Sequence, residues 1–391
     1  MLAVLMPAAL VAQAEPEGAF QTVLVYTGDV IRNTTGGVAV GSAYLNNLDL
    51  ELAIDGERAF GMRGLTLFLH GLHNNDARFS SRYSGDAMTA SNIDAPRATR
   101  LYEAWLDYAF GTHGAASLRL GLYDLNTELD TSDSRALFVN SSFGVGHDLG
   151  QSGVNGPSIF PITSLGLRFA LRPRENWLLL AAVLDGVPGD PDDPTATTVR
   201  LDPDDGALLI AEVQHALSDR GTLAAGAWIY TKDGPRVDDD VLGVVPPRSA
   251  RRLGIYSTAD FAIWRRSPGS PQFATTFARV GYTSDAAHEY DLNAQAGFTW
   301  RQPWTDGYEE AVGLALSYAR TGGAYRAARA ALGEPVESGE LAVELTYRRA
   351  LTSWLTLQPT LQYIAQPSAE SMLSDAFVIG IRFELAVTRP F

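Results

Sequence analysis

The chain has 391 residues, no cysteine, and 45 acidic against 30 basic side chains, a formal charge of −15. The missing thiols exclude disulfide scaffolds, thiol catalysis and cysteine-held metal centres, and the acidic balance argues against a nucleic-acid partner, which needs a clustered basic surface. Only 19% of residues are charged while 37 are glycine, a composition of strands and turns rather than of a soluble enzyme, where about 25% charge is usual.

Residues 1–14 form an apolar run closing on Ala12-Gln13-Ala14, the pattern of a cleaved signal peptide although no basic residue precedes it. No later apolar run is long enough for a membrane-spanning helix. From there the dominant signal is alternation with a period of two. Leu48, Leu50, Leu52 and Ile54 oppose Asn47, Asp49, Glu51 and Asp55. Leu292, Ala294, Ala296, Phe298 and Trp300 oppose Asp291, Asn293, Gln295 and Thr299. Leu341, Val343, Leu345 and Tyr347 oppose Glu340, Glu344, Thr346 and Arg348; Phe377, Ile379, Ile381, Phe383 and Leu385 oppose Gly380, Arg382 and Glu384. Neighbouring strand side chains point to opposite faces, so each segment is apolar on one face only.

About sixteen such segments follow one another, near 20–27, 47–55, 64–73, 100–110, 116–123, 164–172, 176–185, 206–215, 222–231, 252–264, 272–282, 290–300, 310–319, 339–349, 354–364 and 375–385. Most run about 8–11 residues, enough for a tilted strand to cross a bilayer. Connections after odd-numbered segments are mostly long and those after even-numbered ones mostly short. That sorting predicts an all-β fold: a transmembrane, antiparallel, up-and-down β-barrel of about sixteen strands, with short periplasmic turns and long external loops. Tyr102, Tyr108 and Phe110, Trp300, Tyr318, Tyr347 and Tyr363 fall near the ends of apolar stripes, where membrane interfaces collect aromatic rings. The chain ends on Phe391, as final strands of outer-membrane barrels do, although Arg389 and Pro390 interrupt the alternation. Such a sheet would carry its apolar residues mostly outside, against lipid or a second copy of the chain, and not in a core.

A series of motifs runs through the chain in order: Gly121-Leu122-Tyr123-Asp124-Leu125-Asn126-Thr127-Glu128-Leu129-Asp130, Leu137-Phe138-Val139-Asn140-Ser141-Ser142-Phe143-Gly144, Gly156-Pro157-Ser158-Ile159-Phe160-Pro161, Ser164-Leu165-Gly166-Leu167-Arg168, Asp185-Gly186-Val187-Pro188-Gly189-Asp190-Pro191, Gly206-Ala207-Leu208-Leu209-Ile210-Ala211-Glu212 and Leu357-Gln358-Pro359-Thr360-Leu361-Gln362-Tyr363-Ile364. From about Phe20 to Phe391 the chain resembles the carbohydrate-selective outer-membrane porins of OprB type. The resemblance implies a sixteen-stranded barrel for passive sugar uptake, with sugars as permeating solutes, outer-membrane lipid around it and no cofactor.

A sugar pore needs donors, acceptors and aromatic platforms at a narrowing rather than one dominant charge. The longest connection, 124–163, is the expected inward-folded loop. It carries Asp124, Asn126, Glu128 and Asp130 and is flanked by Tyr123, Arg119 and Arg168, whose guanidinium groups are expected to face the lumen and pair with carboxylates. Strand parity adds Glu103, Trp105, Asp107, Glu212, Arg279, Glu344 and Arg382 to the expected lining. Trp105, between two acids, suits a stacking surface for a sugar ring or a filler beside the loop. No catalytic or nucleotide-binding motif occurs. His70 and His73 would face opposite sides of a strand, so metal binding is not expected there. Asp202, Asp204, Asp205 and Asp238–Asp240 lack the spacing of a calcium loop and read as solvated external acids. Glu128 and Asp130 could in principle serve a glycosidase. A barrel enzyme and a soluble secreted glycan-binding β-protein are the alternatives to a porin.

Overall fold

The computed structural model describes residues 18–390 apart from 194, 219, 268 and 304–306. The expected leader (1–14) and the terminal Phe391 lie outside the described residues. Sixteen strands close into one barrel: β1 (Phe20–Gly37), β2 (Gly41–Asp55), β3 (Leu65–Asn74), β4 (Ala98–Phe110), β5 (Ala116–Tyr123), β6 (Ser164–Arg174), β7 (Trp177–Asp185), β8 (Ala207–Ala216), β9 (Gly221–Tyr230), β10 (Leu253–Arg265), β11 (Phe273–Thr283), β12 (Tyr290–Pro303), β13 (Glu309–Thr321), β14 (Gly339–Ala350), β15 (Leu355–Ala365) and β16 (Ser374–Pro390). Each strand pairs antiparallel with the next, and β1 pairs with β16 from Gln21↔Pro390 to Gly37↔Ser374, so the sheet has no free edge.

Alternation decides the faces. Leu50, Ile255, Ile263 and Leu314 stand exposed on the outside, while Asp49, Glu51, Glu103, Asn293 and Gln295 are buried on the inside. Aromatic rings mark both rims of the apolar coat. Trp264 stacks on Trp300 at 4.9 Å and Tyr108 on Phe110 at 6.3 Å near the short-turn end, with Tyr282, Tyr318 and Tyr363 near the other.

The first strand departs from expectation. The polar stretch Arg32-Asn33-Thr34-Thr35-Gly36-Gly37 reads as loop, yet β1 continues through it along β16, with β2 paired as far as Asn33, so the first connection shrinks to residues 38–40. Asn33 fixes this turn by donating from Nδ2 to the carbonyls of Gly36, Ala39 and Tyr83. Tyr102 is a second correction. His70 pairs with Glu103 but Gly71 with Leu101, leaving Tyr102 as the extra residue of a β-bulge. The slip moves Tyr102 from the lipid stripe into the lumen, where it is buried.

Two connections fold inward. Residues 124–163 cross the lumen on an apolar core that the expected lipid-only distribution of apolar residues leaves out. Leu125, Leu129, Val145 and Leu149 pack on Leu180, Ala182, Leu184, Leu208, Ile210, Trp228, Tyr230 and Tyr256 of β7–β10. Further along, Leu137, Phe138 and Phe143 pack on Phe277, Ala311 and Ala315. An ion-pair hub locks the crossing. Asp130, in left-handed backbone (φ 55°), receives Arg135 at 2.9 Å and Arg279 at 2.8 Å, and Asp148 receives Arg279 at 2.6 Å. A Cβ on Gly146 would lie 1.9 Å from Arg279 Cζ, so glycine is what lets the guanidinium in. Residues 75–97, which the sequence reading leaves as an ordinary external loop, also turn inward. Phe79, Ala90 and Ile93 pack on Ile31, Leu45, Ile364, Ala376 and Val378. The two loops join through Asn92 N–H to Val139 O (2.8 Å) and Ser141 N–H to Thr89 O (2.9 Å).

The hub holds two cations and two carboxylates with no solvent contact on Arg279, Asp130 or Asp148. Replacing Arg279 by Met strands a buried charge, a loss of about 3–5 kcal/mol. The expected result is a lower temperature for conversion of the folded gel band to the unfolded one, together with a larger, noisier single-channel conductance as the loop loosens.

Candidate functional site

β4, β5 and β6 place Asp107, Arg119 and Arg168 side by side, because Asp107 pairs with Arg119 and Arg119 with Arg168 across the ladder. Loop 124–163 adds Glu128 above them. Arg168 donates from Nε and Nη2 to Glu128 at 2.8 and 2.9 Å, from Nη2 to Asp107 at 2.5 Å and from Nη1 to Ser117 at 2.6 Å. Arg119 reaches Asp107 at 3.1 Å and Glu128 at 3.4 Å. Burial by itself raises the Glu128 carboxyl, but the two guanidinium groups outweigh it and hold Glu128 below the usual carboxylate range. Tyr123 donates its hydroxyl to Glu128 at 2.7 Å.

Aromatic rings flank these charges. Arg119 Cζ lies 3.8 Å from the centre of the Trp105 ring, which itself stacks on Phe68 at 5.0 Å. Gly121 stands opposite Trp105 in the ladder with φ +146°, and a Cβ there would come within 2.5 Å of Trp105 Cα. Trp105 donates to Glu103 at 3.2 Å. Glu103 also accepts the Asp124 N–H at 3.1 Å, and Tyr102 donates its hydroxyl to the Asp124 carboxylate. Burial and the nearby Glu103 charge push the Asp124 carboxyl up. Asn126 faces its own loop, donating to Leu129 O at 3.1 Å. On the neighbouring wall His70 bonds Asp49 at 2.9 Å, and Arg382 of β16 grips Asp29 of β1 at 2.7 and 2.8 Å.

The expected lining residues therefore fall into groups. Glu103, Trp105, Asp107, Arg119, Tyr123, Asp124, Asn126, Glu128 and Arg168 come together on β4–β6 and the start of the loop; Arg382 stands apart on β16. Arg279, Glu212, Glu344 and Asp130 are corrected from lining to anchoring, because the loop covers them. Glu212 accepts Asp130 N–H at 2.8 Å and the Tyr256 hydroxyl at 2.5 Å, and Glu344 accepts the N–H groups of Val139 and Asn140, both at 2.8 Å. Asp29, Ser91 and Asn92 join the lumen surroundings without having been singled out, beside Asp49, Glu51 and His70, which were not counted as lining. The alternation of 47–55 already puts Asp49 and Glu51 on the inner face, and the spaced apolar residues Phe79, Met88 and Ile93 were the available hint that 75–97 packs against something.

The other chemistries meet specific obstacles. For Glu128 and Asp130 to serve a glycosidase, one of the two would have to stay protonated as general acid. Burial raises Asp130, but Arg279 and Arg135 reverse this and hold it low, as the arginines hold Glu128. His70 points inward and His73 outward, to Thr99. Asp238 and Asp239 are occupied by Arg236 and Arg248. Among the described residues no cluster of histidine and acidic side chains is placed to hold a metal ion.

Comparison with known proteins agrees with this geometry. Residues 39–386 match the model of the carbohydrate-selective porin, OprB family. Porin B of Pseudomonas aeruginosa is 20% identical, over 92% of this chain and 86% of its own length. A structure of OprB from Pseudomonas putida at high pH superposes with a TM-score of 0.83 at 17% identity, covering 94% of each chain. The outer-membrane channel DcaP of Acinetobacter baumannii shares the fold more distantly, with a TM-score of 0.54 at 10% identity over 94% of this chain and 97% of that one. The chain belongs to the carbohydrate-selective porin, OprB family, and is a sugar-selective channel of the bacterial outer membrane.

Proposed function

We propose that selection of a mono- or oligosaccharide takes place where loop 124–163 meets β4–β6, at Asp107 and Glu128, the more open members of a cluster that the buried Arg119, Arg168 and Trp105 hold in place. The observation that carries this is the Arg119 guanidinium lying over Trp105 while sharing Asp107 and Glu128 with Arg168. Two cations and two carboxylates compensate each other, so the surface offers fixed hydrogen-bonding groups without a strong net field. A neutral sugar can exchange water for those groups, whereas a small ion finds no uncompensated charge to follow. The indole ring, buried between Arg119 on one face and Phe68 on the other, fills the wall beside the loop and holds the guanidinium in place. Passage is passive: the solute moves down its gradient and no bond is made or broken. The outward coat is the contact with lipid, and with any neighbouring copy of the chain.

D-Glucose added to a planar bilayer holding the purified protein is expected to block part of the single-channel current. An open channel wholly insensitive to sugar sinks the reading. Trp105→Ala removes the support under Arg119 and should raise the half-blocking glucose concentration roughly three- to tenfold. Arg168→Gln leaves Asp107 and Glu128 facing one arginine. Its reversal potential in a KCl gradient should move toward cation preference, with the permeability ratio changed by roughly twofold or more.

A further inference from the structure

The lumen has a second contact surface, away from β4–β6, where β16, β1 and the inward loop 75–97 converge. Arg382 donates from Nε and Nη2 to Asp29 at 2.7 and 2.8 Å, and from Nη2 to Asn92 Oδ1 at 2.8 Å. Ser91 closes the group by donating its hydroxyl to Asp29 at 2.7 Å. Asn92 is exposed while its neighbours Ser91 and Ile93 are buried. Its backbone N–H is spent on Val139 of the other inward loop, and its side chain sits on a wall residue that faces inward. The solvent it meets is therefore lumen water.

The chemistry of the pair fixes which way the amide points. A guanidinium only donates, so the atom of Asn92 on Arg382 must be the carbonyl oxygen. That turns Nδ2 away from Arg382. Among the described residues neither Asn92 Nδ2 nor Arg382 Nη1 has a protein partner, and both are N–H donors. Loop 75–97 is thus more than packing: it delivers a polar side chain to the passage and has it oriented by a charged wall residue that is itself clamped by Asp29.

We propose that Asn92 is a specificity-determining residue of the pore, its Nδ2 donating to a hydroxyl or ring oxygen of the permeating pyranose at a contact separate from Trp105. This rests on the reading of the channel as a sugar-binding passage. The donor, not the mere presence of a polar group, is what matters. A hydroxyl-rich neutral solute gains one hydrogen bond there, and an ion gains none that Arg382 and Asp29 have not already neutralised.

The test compares glucose block in Asn92→Ala, Asn92→Asp and Trp105→Ala channels with the parent, using only protein whose heat-modified gel shift shows a closed barrel. Losing one hydrogen bond should weaken block by roughly three- to tenfold in both Asn92 variants. Asn92→Asp is the decisive one. An aspartate can still accept from Arg382 but cannot donate, so parental block in that variant would overturn the proposal, as would weakened block in Asn92→Ala accompanied by normal block in Asn92→Asp. If Trp105→Ala weakens block while both Asn92 variants match the parent, this inference falls and the Trp105 surface stands. A parent that glucose fails to block brings down both.

Discussion

Hydrocarbon offers no hydrogen bonds. A chain that crosses it with strands must give each backbone N–H and C=O a partner on a neighbouring strand, and that demand ends only when the last strand meets the first. Here β16 runs along nearly the whole of β1, and the rest of the molecule follows from that closure. Once the ring is shut, every side chain faces either lipid or the enclosed space. Leu50, Ile255 and Leu314 are solvated by acyl chains, and Asp49, Glu103 and Arg168 by His70, Trp105, Asp107 and Glu128 on the inner side. The arginine–carboxylate ladder is affordable because its members are satisfied before any sugar arrives.

The enclosed space is not a plain aqueous tube. On β7, Leu179, Ala181 and Val183 look outward while Leu178, Leu180, Ala182 and Leu184 look inward, so this wall is apolar on both faces. The inner face is covered by Leu125, Leu129, Val145 and Leu149 of the long loop, a small soluble-type core inside a membrane barrel. The inner faces of β1–β6 instead carry polar residues, among them Asp29, Asp49, Glu103 and Arg119.

Much of this was legible in the residues, since alternation with a period of two survives in a one-sided sheet. The limits of β5 follow directly from it. It failed where a local feature broke the period. The bulge at Tyr102 reverses the two faces of β4 within a single residue, and no composition signal marks it. The end of β1 was hidden because its polar residues point toward the wet rim, where strand and loop look alike. At the site, the pairing of Arg119 and Arg168 with Asp107 and Glu128 was foreseeable because cross-strand neighbours and a loop at the strand ends bring these charges within reach. The anchoring roles of Arg279, Glu212 and Glu344 were not, because parity distinguishes inside from outside but not open lumen from the underside of a loop. Asn92 was hidden for a related reason: nothing in a polar stretch announces which way a connection turns.

The two-faced β7 bears on how the molecule can be made. Had the sheet closed first, an empty cylinder would have exposed Leu180, Leu184, Leu208 and Ile210 to water. The loop would then have had to thread inward and bury Arg279 with its two carboxylates in a space already shut. In the closed barrel the loop shields that wall and fills the space the strands enclose. Shortening an external connection is ordinarily a mild change to a barrel. Shortening this one would open Leu180, Leu184, Leu208 and Ile210 to water.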